Sequence, residues 1–175
     1  MKKVYDTINQ YCVEHELLTN GDGIVIGLSG GMDSVCLLQV LAALRNEWQL
    51  RLVCVHVHHG IRGTAADEDA AFAQRLAAKY NISFRLYEMD IPQLAKEQGL
   101  SEEEAGRNYR YRCFEEVRKE LNFDKIAVAH HRDDQAETVL WQILRGSGLR
   151  GVCGMPGALI LFDRYCVWID SRLSR

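Results

Sequence analysis

The sequence predicts an α/β fold, an open parallel sheet of about five strands with helices on both faces. Short apolar runs of strand length alternate with longer helical patterns along the 175 residues, which is the order expected of βαβ units. The second run, residues 50–58, is almost continuously apolar through Leu52-Val53-Cys54-Val55. A run of this kind is typical of a parallel strand that is covered on both faces.

The individual elements follow from periodicity and from turn residues. Strands are predicted over residues 23–28, 50–58, 82–87 and 125–129, with a fifth strand at 159–162. Helices are predicted over residues 3–18, from the turn after the first strand to about 45, and over 65–80, 92–98, 101–121 and about 135–144. Ser101 with Glu104 three positions later has the pattern of a capping box, which marks a helix start.

Composition limits the class of protein. A hydrophobic fraction of 47% is enough for one hydrophobic core. A formal net charge of −3 argues against a protein whose sole function is to bind nucleic acid. The 6 cysteines include no C-x-x-C pair, which weakens structural zinc and iron–sulfur interpretations and fits a reducing cytosol. The chain lacks a signal-peptide pattern and any apolar run long enough to span a bilayer. We therefore expect a soluble, cytoplasmic protein with no membrane partner.

A glycine turn follows the first strand and precedes a helix. The order strand, tight turn, helix brings unpaired backbone N–H groups and a positive helix end to one point, which suits a phosphate. Two adjacent glycines allow close approach of an anion, and two serines add hydroxyl donors. The candidate phosphate-binding residues are Ser29, Gly30, Gly31, Met32, Asp33 and Ser34.

Asp33 distinguishes this turn from the common lysine-containing phosphate loop. A carboxylate beside a phosphate repels it unless a cation lies between them, so Asp33 suggests Mg²⁺. The alternative is that Asp33 is simply an acidic residue that favours the helix N-terminus.

Two further polar clusters follow the second and fourth strands, and the carboxyl ends of parallel strands meet at one edge of a sheet. The clusters are His56, His58, His59, Gly60 and Arg62, and His130, His131, Arg132, Asp133 and Asp134. The histidines could position a nucleotide or be ordinary loop residues, and adjacent histidines rarely share one metal ion. The paired aspartates could hold Mg²⁺, orient a polar substrate or merely favour a helix start.

Arginines supply the remaining candidates. Arg107, Arg110 and Arg112 lie on the helix that begins after Ser101. They either form a solvated face paired with the preceding glutamates, or one of them reaches the phosphates. Arg145 and Arg150 in a glycine-rich loop could contact a nucleic-acid backbone.

These residues resemble a known family. The turn at 29–34 has the SGGxDS form of the PP-loop, which marks the N-type ATP pyrophosphatases, whose fold is Rossmann-like and adenine nucleotide alpha hydrolase-like. Four further blocks, in order, look like the tRNA(Ile)-lysidine synthases: residues 58–63, 104–111, 130–138 and 145–151. The resemblance covers about residues 20–156.

The resemblance implies a reaction and its partners. Members of this family use ATP to adenylate the C2 oxygen of the wobble cytidine in a tRNA(Ile) with a CAU anticodon. L-lysine then replaces the activated oxygen, and AMP and pyrophosphate are released. The resemblance implies Mg²⁺ as a cofactor, and a homodimer is consistent with it.

The resemblance also implies roles for residues. Asp33 would be the metal or substrate carboxylate, and Arg107 or Arg110 would contact phosphate or nucleotide. Asp133 or Asp134 would anchor the lysine ammonium or the reacting base. His58 and Arg62 are further expected ATP contacts, and Arg145 and Arg150 are expected tRNA contacts.

The sequence departs from the family pattern after Met155-Pro156. We therefore expect residues 1–175 to form a single ATP-pyrophosphatase catalytic domain, truncated or divergent after about residue 157, without C-terminal tRNA-binding domains. The alternatives are an ATP-binding module without catalysis, or another PP-loop ligase that modifies tRNA. The absence of a C-x-x-C pair argues against the thiolases that use paired cysteines.

Overall fold

The computed structural model describes residues 6, 9–10, 12–14, 16–58, 60, 64–131, 158–162 and 165–170. Its strands are β1 Gly23–Gly27, β2 Arg51–His58, β3 Ser83–Glu88, β4 Lys125–His131, β5 Ala158–Phe162 and β6 Tyr165–Asp170. Its helices are α1 Met32–Leu44, α2 Thr64–Lys79, α3 Ile91–Gln98 and α4 Glu102–Glu120. Residues 9–10 and 12–14 are also helical, as the pattern over 3–18 predicts. The predicted helix at 135–144 and the glycine-rich loop at 145–151 lie outside the described residues.

The strands form one sheet in the order β3-β2-β1-β4-β6-β5. Strand β1 pairs in parallel with both β2 and β4, and β2 pairs in parallel with β3. The chain runs outward from β1 to β3 and then crosses to the other side of β1 to form β4. The strand order therefore reverses beside β1, which is where open α/β sheets bind ligands.

The predicted α/β fold is confirmed, and the described residues form six strands where the sequence predicts about five. Strand β5 is present at Ala158–Phe162, yet it pairs with β6, which the sequence analysis missed. Strand β6 in turn pairs antiparallel with β4. Only two residues separate β5 from β6 in the sequence, and so short a connection permits only an antiparallel pair. The result is four parallel strands extended by an antiparallel pair at one side.

Helices cover both faces of the parallel part of the sheet. On one face, Leu37, Leu38 and Leu41 of α1 and Ala73 of α2 are buried against strand residues such as Ile24. On the other face, the α4 residues Phe114 and Val117 are buried with strand residues Val25, Val53, Val55, Ile126 and Val128. Alternate residues of β1 and β2 thus enter opposite cores, which explains why the centres of these strands are continuously apolar.

The two helices on the second face have clear end signals. The Asp90 carboxylate accepts a hydrogen bond from the Gln93 N–H (3.0 Å) at the start of α3, and Gly99, with φ +67°, ends that helix. The Ser101 hydroxyl accepts from the Glu104 N–H (3.2 Å) at the start of α4. The start predicted from the capping-box pattern is therefore confirmed.

A buried ion pair closes the edge of the sheet where β1 and β4 begin. The Lys125 ammonium lies 2.5 Å from Asp22 Oδ2 and donates to the Leu17 carbonyl at 2.9 Å. Asp22 also accepts from the Thr19 N–H at 2.6 Å. These bonds join the segment before β1 to β4, at the edge opposite the glycine turn.

Candidate functional site

The glycine turn lies where β1 ends, beside the reversal of strand order. Gly30 has φ +90°, a left-handed conformation that only glycine adopts without strain. Gly31 is the N-cap residue of α1, and because it lacks a side chain it cannot accept a hydrogen bond from the first N–H groups of the helix. The first turn of α1 therefore presents its backbone N–H groups and its positive dipole end at this edge of the sheet.

The two serine hydroxyls brace the turn from inside. Ser29 donates to Ser34 Oγ at 3.1 Å, and Ser34, which is buried, donates to the Gly31 carbonyl at 2.9 Å. The Gly31 N–H lies 3.4 Å from Ser29 Oγ. Sequence reasoning treated both hydroxyls as phosphate donors, whereas the structure uses their protons within the turn. Backbone N–H groups are thus the principal donors that the turn offers to an anion.

Met32 and Asp33 form the exposed side of the turn. Met32 is 80% exposed, although it is a large apolar side chain. Asp33 is half-buried in the first turn of α1, and together with burial its charge raises the pKa of the Cys36 thiol.

Asp33 suits a Mg²⁺ site whose ligands come from both the protein and a bound phosphate better than a site made of protein ligands alone. Mg²⁺ usually takes one or two carboxylates and completes its shell with phosphate oxygens and water. Within the part of the chain that the structure describes, no cluster of three His, Cys, Asp or Glu side chains could hold a metal ion. A single hard carboxylate beside a phosphate-binding turn suits an ion that ATP itself helps to hold.

His56 joins the end of β2 to the residue before the turn. The ring is buried, and its Nδ1 lies 2.7 Å from the Leu28 carbonyl oxygen. Burial lowers the pKa of His56, and the neighbouring His58 and Arg110 act in the same direction, while the Leu28 hydrogen bond opposes them. His56 was only one member of a predicted cluster, and no sequence signal distinguished it from its neighbours.

His58 faces α2 in the structure. Its Nδ1 accepts from the Gly60 N–H at 3.2 Å, so the neutral ring carries its proton on Nε2. Nε2 lies 3.4 Å from Asp67 Oδ1, which is within ion-pair distance but without hydrogen-bond alignment. In the described part of the chain this buried nitrogen has no hydrogen-bond partner. The role of His58 in ATP binding stays a prediction.

Asp69 is a neighbour of the turn that sequence reasoning missed. A Cβ placed on Gly30 would lie 3.7 Å from Asp69 Cβ and 3.8 Å from Asp69 Oδ1. The α2 helix thus brings an exposed carboxylate against the glycine turn. The two residues are far apart in sequence, and Asp69 lies in a run of acidic residues, so only the packing of α2 reveals the contact.

Close packing of α4 brings its arginines to the same edge. A Cβ on Gly27, the last residue of β1, would lie 2.8 Å from Phe114 Cζ, so only glycine allows α4 to approach this closely. Residues before Phe114 lie toward the carboxyl ends of the strands, because the Tyr109 hydroxyl donates to the carbonyl of Glu88, the last residue of β3, at 3.5 Å. Arg110 is half-buried there, and burial and the charge of Arg107 lower its pKa, although Tyr111 opposes them.

Two other arginines on α4, Arg107 and Arg112, lie over tyrosine rings. The guanidinium of Arg107 lies 5.6 Å from the centroid of the Tyr111 ring, and that of Arg112 lies 4.9 Å from the Tyr109 ring. Both arginine side chains are exposed. Arg112 thus belongs to a solvated face, although the carboxylate near it, Glu116 at 3.8 Å, is not one of the preceding glutamates.

The remaining predicted site residues lie outside the described residues, and their roles stay predictions. They are His59, Arg62, Arg132, Asp133, Asp134, Arg145 and Arg150. The backbone of β4 places His130 and His131 at the end of a strand that pairs with β1. The structure therefore brings together the turn, His56, Asp69 and Arg110 at one edge of the sheet.

A parallel α/β domain with a glycine turn for an anion after its first strand defines a class of nucleotide-binding domains. The chain belongs to the PP-loop domain family, whose sequence profile matches residues 2–169. A tRNA(Ile)-lysidine synthase from Caldanaerobacter subterraneus subsp. tengcongensis is 49% identical over 155 residues, covering 89% of this chain and 32% of that protein. One from Clostridium tetani is 41% identical over 152 residues, covering 87% and 32%. The chain thus spans about a third of the length of these curated relatives.

Solved structures support the fold. The U34-tRNA thiolase NcsA from Methanococcus maripaludis superposes with a TM-score of 0.67 at 23% identity, over 85% of this chain and 52% of that one. An NH3-dependent NAD synthetase from Campylobacter jejuni gives a TM-score of 0.52 at 19% identity, over 71% and 54%. Among the described helices, none is long and apolar enough to cross a membrane.

Proposed function

We propose that this chain is the ATP-using domain of a tRNA(Ile)-lysidine synthase, a ligase that forms a carbon–nitrogen bond. The observation that carries the proposal is the braced turn at the end of β1, with Asp33 on its exposed side and Arg110 at the same edge of the sheet. The identity to tRNA(Ile)-lysidine synthases over nearly nine-tenths of the chain supports the particular reaction.

The proposed reaction has two steps. The C2 oxygen of the wobble cytidine in a tRNA(Ile) with a CAU anticodon attacks the α-phosphorus of ATP, and the bond to the β-phosphate breaks to release pyrophosphate. The amine of L-lysine then attacks C2, and the C2–O bond breaks with AMP as the leaving group. A carbonyl oxygen leaves poorly, so adenylation lowers the barrier to the second step.

The turn would stabilise the departing pyrophosphate. Backbone N–H groups of Gly30, Met32 and Asp33 act as fixed donors, because the serine hydrogen bonds already hold the turn in place. Asp33 would hold Mg²⁺, which when bound neutralises part of the pyrophosphate charge. His58 and Arg62 are further proposed ATP contacts.

Arg110 is the better placed of the two proposed phosphate contacts on α4. It is half-buried beyond the end of β1, whereas Arg107 is exposed over Tyr111. A cation that is partly removed from water interacts more strongly with phosphate oxygens. Asp133 or Asp134 would bind the lysine ammonium or the reacting base, and Arg145 and Arg150 would contact the tRNA backbone.

A second candidate is a PP-loop module that binds ATP without catalysis. The formal net charge of −3 favours it, because a protein that binds tRNA strongly is usually more basic. Such a module would bind ATP but release no pyrophosphate in the presence of lysine and the tRNA. Another PP-loop ligase acting on tRNA would release pyrophosphate without attaching lysine.

Transfer of radiolabelled lysine to tRNA(Ile) with a CAU anticodon tests the proposal. Wild-type chain with ATP and Mg²⁺ should label the tRNA, and Asp33→Ala should reduce labelling at least about 100-fold, since charge stabilisation in the transition state is lost. Asp124→Ala is the matched control, because it removes an exposed carboxylate at the opposite edge of the sheet. Labelling that is unaffected by Asp33→Ala would contradict the proposed site.

A further inference from the structure

The buried residue His56 has a place in the fold that its neighbours lack. Its Nδ1 lies 2.7 Å from the carbonyl oxygen of Leu28, the residue that immediately precedes the phosphate turn. His56 is 5% exposed and Leu28 is 1% exposed, so both members of this hydrogen bond are removed from water. A carbonyl oxygen cannot donate, so Nδ1 must carry the proton of this bond.

Strand β2 therefore forms hydrogen bonds with both the N–H and the carbonyl group of Leu28. The Leu28 N–H donates to the Val55 carbonyl at 2.9 Å, which continues the pairing of β1 with β2 by one residue. The Leu28 carbonyl accepts from the side chain of His56, the next residue along β2. With both groups fixed, the chain can leave β1 toward Ser29 in only a narrow range of directions.

We infer that His56 is a positioning residue that sets the direction of the phosphate turn through the Leu28 carbonyl. The inference rests on the proposed function, because it assigns the turn to ATP phosphate. Its effect on ATP is indirect: His56 holds Leu28, Leu28 fixes the start of the turn, and the serine hydrogen bonds within the turn fix the rest. The N–H groups that would face phosphate are thus aligned before ATP arrives.

Neutrality of the ring fits this role. A buried imidazolium would need a counter-charge, and burial keeps the pKa of His56 below its ordinary value. Phe84 lies alongside the ring, with centroids 6.5 Å apart, and helps to fix its plane. The neutral Nδ1–H tautomer is then the form that the Leu28 bond selects.

Two substitutions separate the hydrogen bond from the bulk of the side chain. The amide nitrogen of Asn occupies nearly the position of Nδ1, so His56→Asn should keep the bond, whereas His56→Leu leaves the buried Leu28 carbonyl without a donor. We expect His56→Leu to weaken ATP binding about tenfold by calorimetry and His56→Asn to stay within about threefold of wild type. Val53→Ala, a buried change on the same strand facing the other core, controls for lost stability and should leave affinity within about twofold.

A measurement without ATP keeps this inference separate from the proposed function. Nitrogen-15 NMR of the wild-type ring should show a protonated Nδ1, and the amide signals of residues 29–33 should shift in His56→Leu and return toward wild type in His56→Asn. An unprotonated Nδ1, or turn signals that are the same in both variants, would overturn the inference. If these signals behave as expected but wild type binds no ATP, the proposed function fails and the positioning role stands.

Discussion

Gly30 is the residue on which the shape of the glycine turn at residues 29–34 most directly depends. Its φ of +90° would strain any side chain, but a Cβ there would meet Asp69 only at ordinary contact distance. We expect Gly30→Ala to lower the free energy of unfolding by about 1 kcal/mol and to weaken ATP binding at least about tenfold, because the N–H groups of the turn reorient. Denaturant unfolding and calorimetry measure the two effects.

Gly21 provides a matched control for this prediction. It has nearly the same φ, +88°, and a Cβ there would meet nothing within 4 Å. Gly21 lies just before β1, at the edge of the sheet away from the turn, so Gly21→Ala should cost similar stability with no change in affinity. Equal losses of affinity in the two variants would show that the turn itself does not bind ATP.

His56 also makes stability depend on pH. Its pKa is lower in the folded chain than the ordinary value of about 6.5 expected when the chain is unfolded. Below that value the unfolded chain binds more protons, so the contribution of His56 to stability is complete above about pH 6.5 and is lost as the pH falls. The surrounding charges are His58, Asp69 and Arg110.

Because Asn does not titrate, the pH dependence should be smaller in His56→Asn. Urea unfolding at about pH 7.5 and about pH 5.5 should show a larger loss of stability in wild type than in this variant. Parallel losses in the two proteins would mean that His56 is not held neutral by the fold.

At the scale of single residues, the sequence predicted the strand–turn–helix at residues 23–44 better than the hydrogen bonds within its turn. The motif at 29–34 predicted a glycine turn that could hold phosphate, and Gly30 has the positive φ that only glycine adopts without strain. The inward hydrogen bonds of Ser29 and Ser34 depend on rotamers that a motif does not specify. Asp69 and the Leu28–His56 bond are long-range contacts, which no local pattern in one sequence reveals.

At the scale of elements, the contact between β1 and α4 determines where the arginines lie. A Cβ on Gly27 would lie 2.8 Å from Phe114 Cζ and 2.9 Å from Val128 Cγ1. Gly27→Ala should therefore destabilise the chain by about 1–3 kcal/mol through overpacking, and it should weaken ATP binding because α4 carries Arg110.

A second substitution tests the cause of that loss. Phe114→Leu shortens the side chain, so Gly27→Ala combined with Phe114→Leu should be more stable than the sum of the two single changes predicts. Thermal unfolding of the four proteins measures this coupling. Strict additivity would mean that Phe114 does not limit the approach of α4.

The elements that the sequence predicted well are those with strong local signals. Strands β1, β2 and β4 each contain a continuous apolar run, and α4 begins at a serine cap. Strand β6 was missed although Tyr165–Asp170 is rich in β-forming residues. It lies between β4 and β5 in the sheet, and the order of strands in a sheet depends on tertiary pairing that local patterns do not contain.

At the scale of the whole molecule, the two edges of the sheet have different tasks. The turn, His56 and Arg110 lie at the edge where the parallel strands end. The Asp22–Lys125 pair lies at the opposite edge and ties the segment before β1 to β4. A substitution in the Asp22–Lys125 pair can therefore change the free energy of unfolding without contacting the site.

Lys125→Met tests this separation. It removes the ammonium but keeps most of the side-chain volume, and it leaves the Asp22 carboxylate buried without its counter-charge. We expect a loss of about 3–5 kcal/mol in the free energy of unfolding, with the affinity of the folded fraction for ATP unchanged. A change in intrinsic affinity would show that the two edges are coupled.

The products formed from ATP labelled in its α-phosphate test the central claim most directly. With lysine, Mg²⁺ and tRNA(Ile) bearing the CAU anticodon, we predict labelled AMP and an equal amount of pyrophosphate, lost in Gly30→Ala and retained in Gly21→Ala. This outcome would show that the turn at 29–34 serves cleavage between the α- and β-phosphates. Labelled ADP in place of AMP, or AMP formed equally well by Gly30→Ala, would contradict it.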